Sequence, residues 1–186
     1  MKEPYWWYVL FVKTGTEHKV VTEMQRTLNS SIYIYEFDCF CLESERFFRS
    51  KKQRILGNSY KKRPLFPGYV FIETNMPARD FLIAFSNVIY NSSDIIKLLH
   101  SGDYTDIALP TSERQQLEFL YRGKRFLEHS VGYKEGDKIV VKYGALVERE
   151  GSIKYINRHN REAQIEFELY GKKISARVAL ELITKI

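Results

Sequence analysis

The side chains here that could hold a metal or act as a nucleophile are four histidines, two cysteines and scattered carboxylates, and their spacing assembles neither. His18, His100, His129 and His159 stand far apart, with no carboxylate or cysteine at the separations a tetrahedral site uses. Cys39 and Cys41 flank one residue within an apolar run, so on a strand they share a face. With no CxxC and no third ligand nearby, they read as core thiols of a reducing compartment. Asp103 and Asp106 fall in a loop-like stretch, where solvation is the ordinary account. Gly132 and Gly136 form a lone Gly-x-x-x-Gly, Gly171-Lys172-Lys173 follows no glycine-rich run, and no Gly-x-Ser-x-Gly elbow occurs. Nothing joins a nucleophile, a base and an orienting group, so the residues point away from an enzyme, a metal site or a cofactor.

The chemistry the chain does offer is that of cations and aromatic rings. Arg46, Arg49, Lys51, Lys52, Arg54, Lys61, Lys62 and Arg63 occur with no acid among them, eight bases against a whole-chain net charge of +6. Such a block is either a solvated loop or a contact to a phosphate backbone, RNA or DNA, whose affinity falls steeply with salt. It runs into Pro64-Leu65-Phe66-Pro67-Gly68-Tyr69-Val70-Phe71-Ile72. Proline cannot donate to a ladder and pushes its predecessor out of the α region, so Leu65-Phe66 is held extended and Gly68 opens a strand. A period of two sends Val70 and Ile72 one way, Tyr69 and Phe71 the other. The strand is then either central and buried on both faces, or it shows Tyr69 and Phe71 as an uncovered docking patch.

These residues need elements to position them. Residues 5–12 are aromatic and aliphatic throughout and read as a strand. Thr14-Gly15-Thr16-Glu17 reads as a capping box for a helix to Leu28, with Val20, Val21 and Met24 at helical spacing. Residues 32–42 alternate so that Tyr33, Tyr35, Phe37, Cys39 and Cys41 share a face. The strand they imply pairs, across the basic arm and a loop tip at Gly57-Asn58-Ser59, with the strand from Gly68 to Thr74. Asn75 is placed to cap a short helix over 77–85, with Phe81, Leu82 and Phe85 inward. Residues 94–99 suggest a strand, and Thr111 caps a helix to Arg122 that Gly123 stops. Residues 123–132 are polar and lack a period, as a linker does. Beyond it, strand-like runs at 138–143, 151–157, 162–169, 172–178 and 180–184 suggest a small barrel. The apolar start is too short to cross a bilayer and no small-residue cleavage site follows it before Lys13, which points to a cytoplasmic protein free of the membrane.

Trp7-Tyr8-Val9-Leu10, Leu65-Phe66-Pro67-Gly68-Tyr69-Val70, and Tyr133-x-x-Gly136-Asp137-x-Ile139-Val140-Val141 with Gly144 and Gly151 resemble, in this order, the transcription elongation factors of the NusG family. The resemblance spans nearly the whole chain. It implies an α+β protein: an NGN domain, a ferredoxin-like α/β sandwich, over 1–122, a linker at 123–132, and an SH3-like KOW barrel over 133–186. Phe11-Val12-Lys13-Thr14-Gly15 and the long basic arm look more like the specialised RfaH and LoaP groups, antiterminators of selected operons.

From that resemblance, Trp7, Tyr8, Phe11, Phe66, Pro67, Tyr69 and Phe71 would bind RNA polymerase at the clamp helices of its largest subunit, with Phe11, Tyr69 and Phe71 on an open sheet face. The chain would act as a monomer, suppressing pausing and termination without covalent chemistry. Two uses of the KOW domain stay open. Tyr170 lies where the family often carries a contact to a protein partner, a ribosomal protein or Rho. Arg158, Arg161, Lys172, Lys173 and Arg177 sit at or near turns and suit nucleic acid, a hairpin in the nascent RNA, while the basic arm is a further contact to RNA or to upstream or non-template DNA. A general NusG-like factor and a stand-alone RNA-binding module are the alternatives.

Overall fold

The computed structural model describes residues 5–28, 35–47, 60–102, 106–121 and 123–183. The chain divides into two compact units. The first draws on Met1–Leu42, Phe66–Gln115 and Leu169–Gly171, the second on Glu43–Leu65, Gln116–Glu168 and Lys172–Ile186. Residues 43–47 and 60–64 thus group with the carboxy-terminal strands, although they lie early in the sequence.

In the first unit, β1 (Trp6–Val12), β2 (Phe37–Phe40), β5 (Tyr69–Thr74) and β6 (Ile95–Leu98) form an antiparallel sheet of order β2-β5-β1-β6. β1 and β5 are the central neighbours, with Val9 opposite Phe71 and Phe11 opposite Tyr69. One face is covered by α1 (Glu17–Leu28) and α2 (Ala78–Asn91). Val20 and Met24, four apart, and Phe81, Phe85 and Ile89, also four apart, put one stripe of each helix into a core with Tyr8, Leu10, Val12, Val70 and Ile72. Cys39 and Cys41 lie in that core as free thiols on one face, and burial pushes the Cys39 thiol upward.

Several local expectations shift. The first helix begins at Glu17, so Thr16 rather than Thr14 stands before it, its carbonyl accepting from Val20. α2 runs to Asn91, well past Phe85, because Ile89 continues its apolar stripe. Asn75 does not cap α2; its side-chain oxygen accepts instead from Glu36 N at 2.8 Å, tying the end of β5 to the start of β2. The long strand expected over 32–42 is broken: after β2, the chain resumes as β3 (Glu43–Phe47). Tyr33 and the loop tip at 57–59 lie outside the described residues. α3 (Thr111–Tyr121) matches its expected span, with Leu117, Leu120 and Tyr121 buried.

In the second unit, β3 pairs antiparallel with β4 (Tyr60–Pro64) and parallel with the short β7 (Phe126–Leu127). β8 (Ser130–Glu135), β9 (Lys138–Tyr143), β10 (Ile153–Asn157), β11 (Glu162–Leu169) and β12 (Lys172–Ile183) form a sheet of order β10-β11-β12-β8-β9. The stretch 123–132 therefore holds β7 and opens β8 rather than being structureless throughout. The runs expected at 172–178 and 180–184 are one strand, since nothing at Ala179 interrupts the ladder. Its end, Leu180–Ile183, pairs in parallel with Ser130–Tyr133. Gly144 explains its own presence: at φ 95°, a Cβ there would stand 2.0 Å from the His129 carbonyl oxygen.

Candidate functional site

The aromatic turn is built from the backbone outward. Phe66-Pro67-Gly68-Tyr69 closes with Tyr69 N donating to Phe66 O at 3.1 Å, and Gly68 adopts φ 86°, the positive value that the third position of a type II turn requires. A Cβ on Gly68 would lie 3.1 Å from Val12 O and 3.3 Å from the Phe11 ring, so with its positive φ the close approach of the turn to β1 favours glycine. Glu17 holds it there. Its side chain is buried, the residue 2% exposed, and its two carboxylate oxygens accept from Gly15 N at 2.8 Å and, fifty-one residues away in sequence, from Gly68 N at 2.7 Å. Charged acceptors make hydrogen bonds roughly twice as strong as neutral ones. The sequence reading treated Glu17 only as part of a helix start, and nothing local to it foretold the second partner.

On this frame, Phe11 and Tyr69 stand as cross-strand neighbours, ring centroids 5.4 Å apart, both partly exposed, with Pro67 exposed beside them. Partial burial raises the Tyr69 phenol above its ordinary range. The other expected docking residues are not on a surface. Phe71, expected on an open face, is 0% exposed; Trp7 and Phe66 are also buried. These three pack with Phe40, Phe71 lying 5.9 Å from Trp7, 6.0 Å from Phe40 and 6.1 Å from Phe66 between ring centroids. The face opposite the helices thus carries an aromatic cluster of its own, and Val70–Ile72 is buried on both sides. Tyr8 points into the helix-covered core, 0% exposed, stacked on Phe81 at 4.1 Å with its hydroxyl donating to Met76 O. Of the seven residues expected to dock, Phe11, Pro67 and Tyr69 retain exposure.

The basic residues divide likewise. Arg49, Lys51, Lys52 and Arg54 lie outside the described residues. Arg46 is largely buried against Glu162, N to O 3.5 Å. Lys61 is half-buried, while Lys62 and Arg63 are exposed on β4, Lys62 Nζ lying 4.8 Å from the centre of the Phe126 ring. Arg161 is engaged twice: its guanidinium lies 3.8 Å above the Phe47 ring and bonds Glu181 at 3.2 Å. Arg158, Lys172, Lys173 and Arg177 are exposed, but Arg158 precedes β11 and Lys172 and Lys173 follow it, so the full strand, about 25 Å, separates them. Arg158 therefore does not share a surface with Lys172 and Lys173, which lie beyond the opposite end of β11, and Arg177 lies within β12. Tyr170, expected to face a protein partner, groups with the first unit, where its N–H and that of Gly171 donate to the Glu113 carboxylate at 2.6 and 2.8 Å, and its hydroxyl donates to Ile107 O at 2.8 Å. Burial raises the Tyr170 phenol well above its usual range.

Among the described residues no group of three or more His, Cys, Asp or Glu side chains could hold a metal ion, and no helix is long and apolar enough to cross a membrane. The arrangement offers shape, rings and charge for binding.

Comparisons with known proteins agree with that character. A family model described as "Transcription termination factor nusG" matches residues 5–118, more than half of the chain. The chain is 21% identical over 187 residues to the transcription termination/antitermination protein NusG of Borreliella burgdorferi, covering 97% of this chain and 98% of that protein. A solved structure titled for domain interaction in Thermotoga maritima NusG aligns over 95% of this chain and 94% of its own, with 20% identity and a TM-score of 0.49. The helix-covered sheet falls within the span that the family model matches, and a five-stranded sheet follows it. With the Phe-Pro-Gly-Tyr turn inside the matched span and both folds in the expected order, the chain belongs to the NusG family of transcription termination and antitermination factors.

Proposed function

We propose that this chain binds RNA polymerase through Phe11, Pro67 and Tyr69, on the clamp helices of the largest subunit, and suppresses pausing and termination on selected operons as the RfaH and LoaP groups do. The observation that carries the docking reading is the pair Phe11 and Tyr69, partly exposed, in ring contact, and fixed by a turn whose glycine is held by a buried carboxylate. Two aromatic rings with few rotatable bonds, packed against each other, have little entropy to lose on binding, which is what suits them to anchor an interface. The action is through binding energy: an elongation complex held in its active form escapes the pause that precedes termination.

The selective reading rests on the cations of β4 as contacts to RNA or to upstream or non-template DNA. Tyr170, with its hydroxyl and backbone already paired, supports RNA over a ribosomal protein or Rho as the ligand of the carboxy-terminal strands. Binding to core polymerase, followed by single-round transcription through an intrinsic terminator with and without a leader RNA, tests both steps. Phe11→Ala and Tyr69→Ala should weaken polymerase binding about tenfold while the thermal midpoint moves little. Wild-type affinity in both variants would remove the docking assignment, and readthrough indifferent to the leader would remove the selective one.

A further inference from the structure

The second unit carries an aromatic row that no expected site includes. Tyr60, at the start of β4, stacks on the His129 ring with centroids 4.8 Å apart and planes at 26°, and Tyr143, at the end of β9, is tilted against the same imidazole with centroids 5.8 Å apart. The row is braced from below. Phe47, the strand partner of Tyr60, meets both rings edge-on, at 6.2 Å from Tyr60 and 5.6 Å from His129, and carries the Arg161 guanidinium at 3.8 Å. Glu45 fixes the imidazole, one carboxylate oxygen lying 2.7 Å from Nδ1 and 2.8 Å from the His129 backbone N. The rings are nonetheless open to solvent, Tyr60 at 43% and Tyr143 at 53% exposed. A row so well fixed and so little covered is unusual for rings whose purpose is to fill a core.

We infer that Tyr60, His129 and Tyr143 form a stacking platform for unpaired bases of single-stranded RNA. Charge complementarity favours a polyanion: exposed Lys62 lies two residues on from Tyr60 and therefore on the same face of β4 as the row. Every base has a π face, so stacking of this kind tolerates sequence while the cations track the backbone. Ribose is favoured over deoxyribose by Glu128. Its carboxylate accepts from the Tyr143 hydroxyl at 3.3 Å and pairs with Lys124 Nζ at 3.3 Å, and it stays 40% exposed, so a 2′-hydroxyl can still donate to it. This inference rests on the reading that the chain contacts transcript, and it adds where and through which chemistry.

The test is fluorescence anisotropy of the full chain with labelled twelve-nucleotide oligo(U) and oligo(A) RNA, and their DNA counterparts, at low and moderate salt. Tyr60→Ala and Tyr143→Ala should each weaken RNA binding about five- to hundredfold, the loss of one stacked base, while Tyr143→Trp retains it. Circular dichroism and thermal midpoints identify any variant that fails to fold, and Tyr143→Trp keeps the question answerable if an alanine variant does. Wild-type affinity in folded alanine variants overturns the inference, as does equal affinity for DNA of the same sequence. A chain that binds core polymerase but no RNA oligonucleotide refutes the platform and leaves polymerase docking standing, so the two failures are distinguishable.

Discussion

Removing the Glu17 carboxylate should loosen the aromatic turn from within. In Glu17→Ala, the N–H groups of Gly68 and Gly15 lose their acceptor. They are not equivalent: the Gly68 contact is buried, whereas Gly15 is exposed and can turn to water. A buried donor stripped of a charged acceptor costs about 1.5–3 kcal/mol, and one that water can reach costs about 0.5–1 kcal/mol, giving about 2–4 kcal/mol in all. Glu17→Gln keeps one acceptor oxygen but turns an amide N–H toward the other donor, so it should recover only part of that loss, leaving about 1–2 kcal/mol. The assay is urea denaturation followed by tryptophan fluorescence. The chain has two tryptophans, Trp6 and Trp7, both on β1, so the signal reports the first unit. Gly68→Ala should also destabilise, because its φ of 86° strains any side chain and a Cβ would crowd Val12 O at 3.1 Å. Since both substitutions release the same turn, the double variant should lose less than the sum of the singles. A Glu17→Ala loss below about 0.5 kcal/mol, or strict additivity with Gly68→Ala, would refute the idea that this carboxylate holds the turn.

Two further substitutions separate core from surface. Phe71→Ala should cost about 3–5 kcal/mol, read by the same tryptophan fluorescence, since it empties the ring cluster with Trp7, Phe40 and Phe66; a folded, fully stable variant would mean that the ring is not core. Gly144→Ala should lower the thermal midpoint of the second unit sharply and speed amide exchange in β8 and β9, because its Cβ would overlap the His129 carbonyl and the Ser130 Cα; unchanged exchange there would show that the loop yields without cost.

How much of this was legible in the residues depended on whether the deciding contact was local. The apolar run over 5–12 placed β1 without sorting its faces, so that Tyr8, a core residue, was grouped with the docking residues; alternation in Tyr69–Ile72 placed β5 and separated its two faces. It could not say what covers each face, and so Phe71 was assigned to an open surface when it lies in a ring cluster. β8 went unread because Ser130–Glu135 is polar and short; it is a strand because β9 and the end of β12 offer their edges to it. The basic turns looked like a cluster because Arg158, Arg161, Lys172 and Lys173 are close in sequence, while a strand between them sets them apart. Glu17 and the Tyr60–His129 stack depend on partners about fifty to seventy residues away, which no local pattern encodes.

The order β10-β11-β12-β8-β9 sets a timetable for assembly. β12 is the last described strand in the chain yet lies in the middle of its sheet, with β11 on one side and β8 on the other. During synthesis, at about 5–20 residues per second, the β8–β9 hairpin emerges early and keeps an unpaired edge until β12 arrives beside it. Its Val131 and Tyr133 are then open to any neighbouring strand, and loop-closure entropy must be overcome before the parallel ladder from Leu180 to Ile183 can form. Closure of this sheet is therefore the slow, concentration-sensitive stage in making the molecule, and mutations that weaken the end of β12 should show first as lost soluble yield.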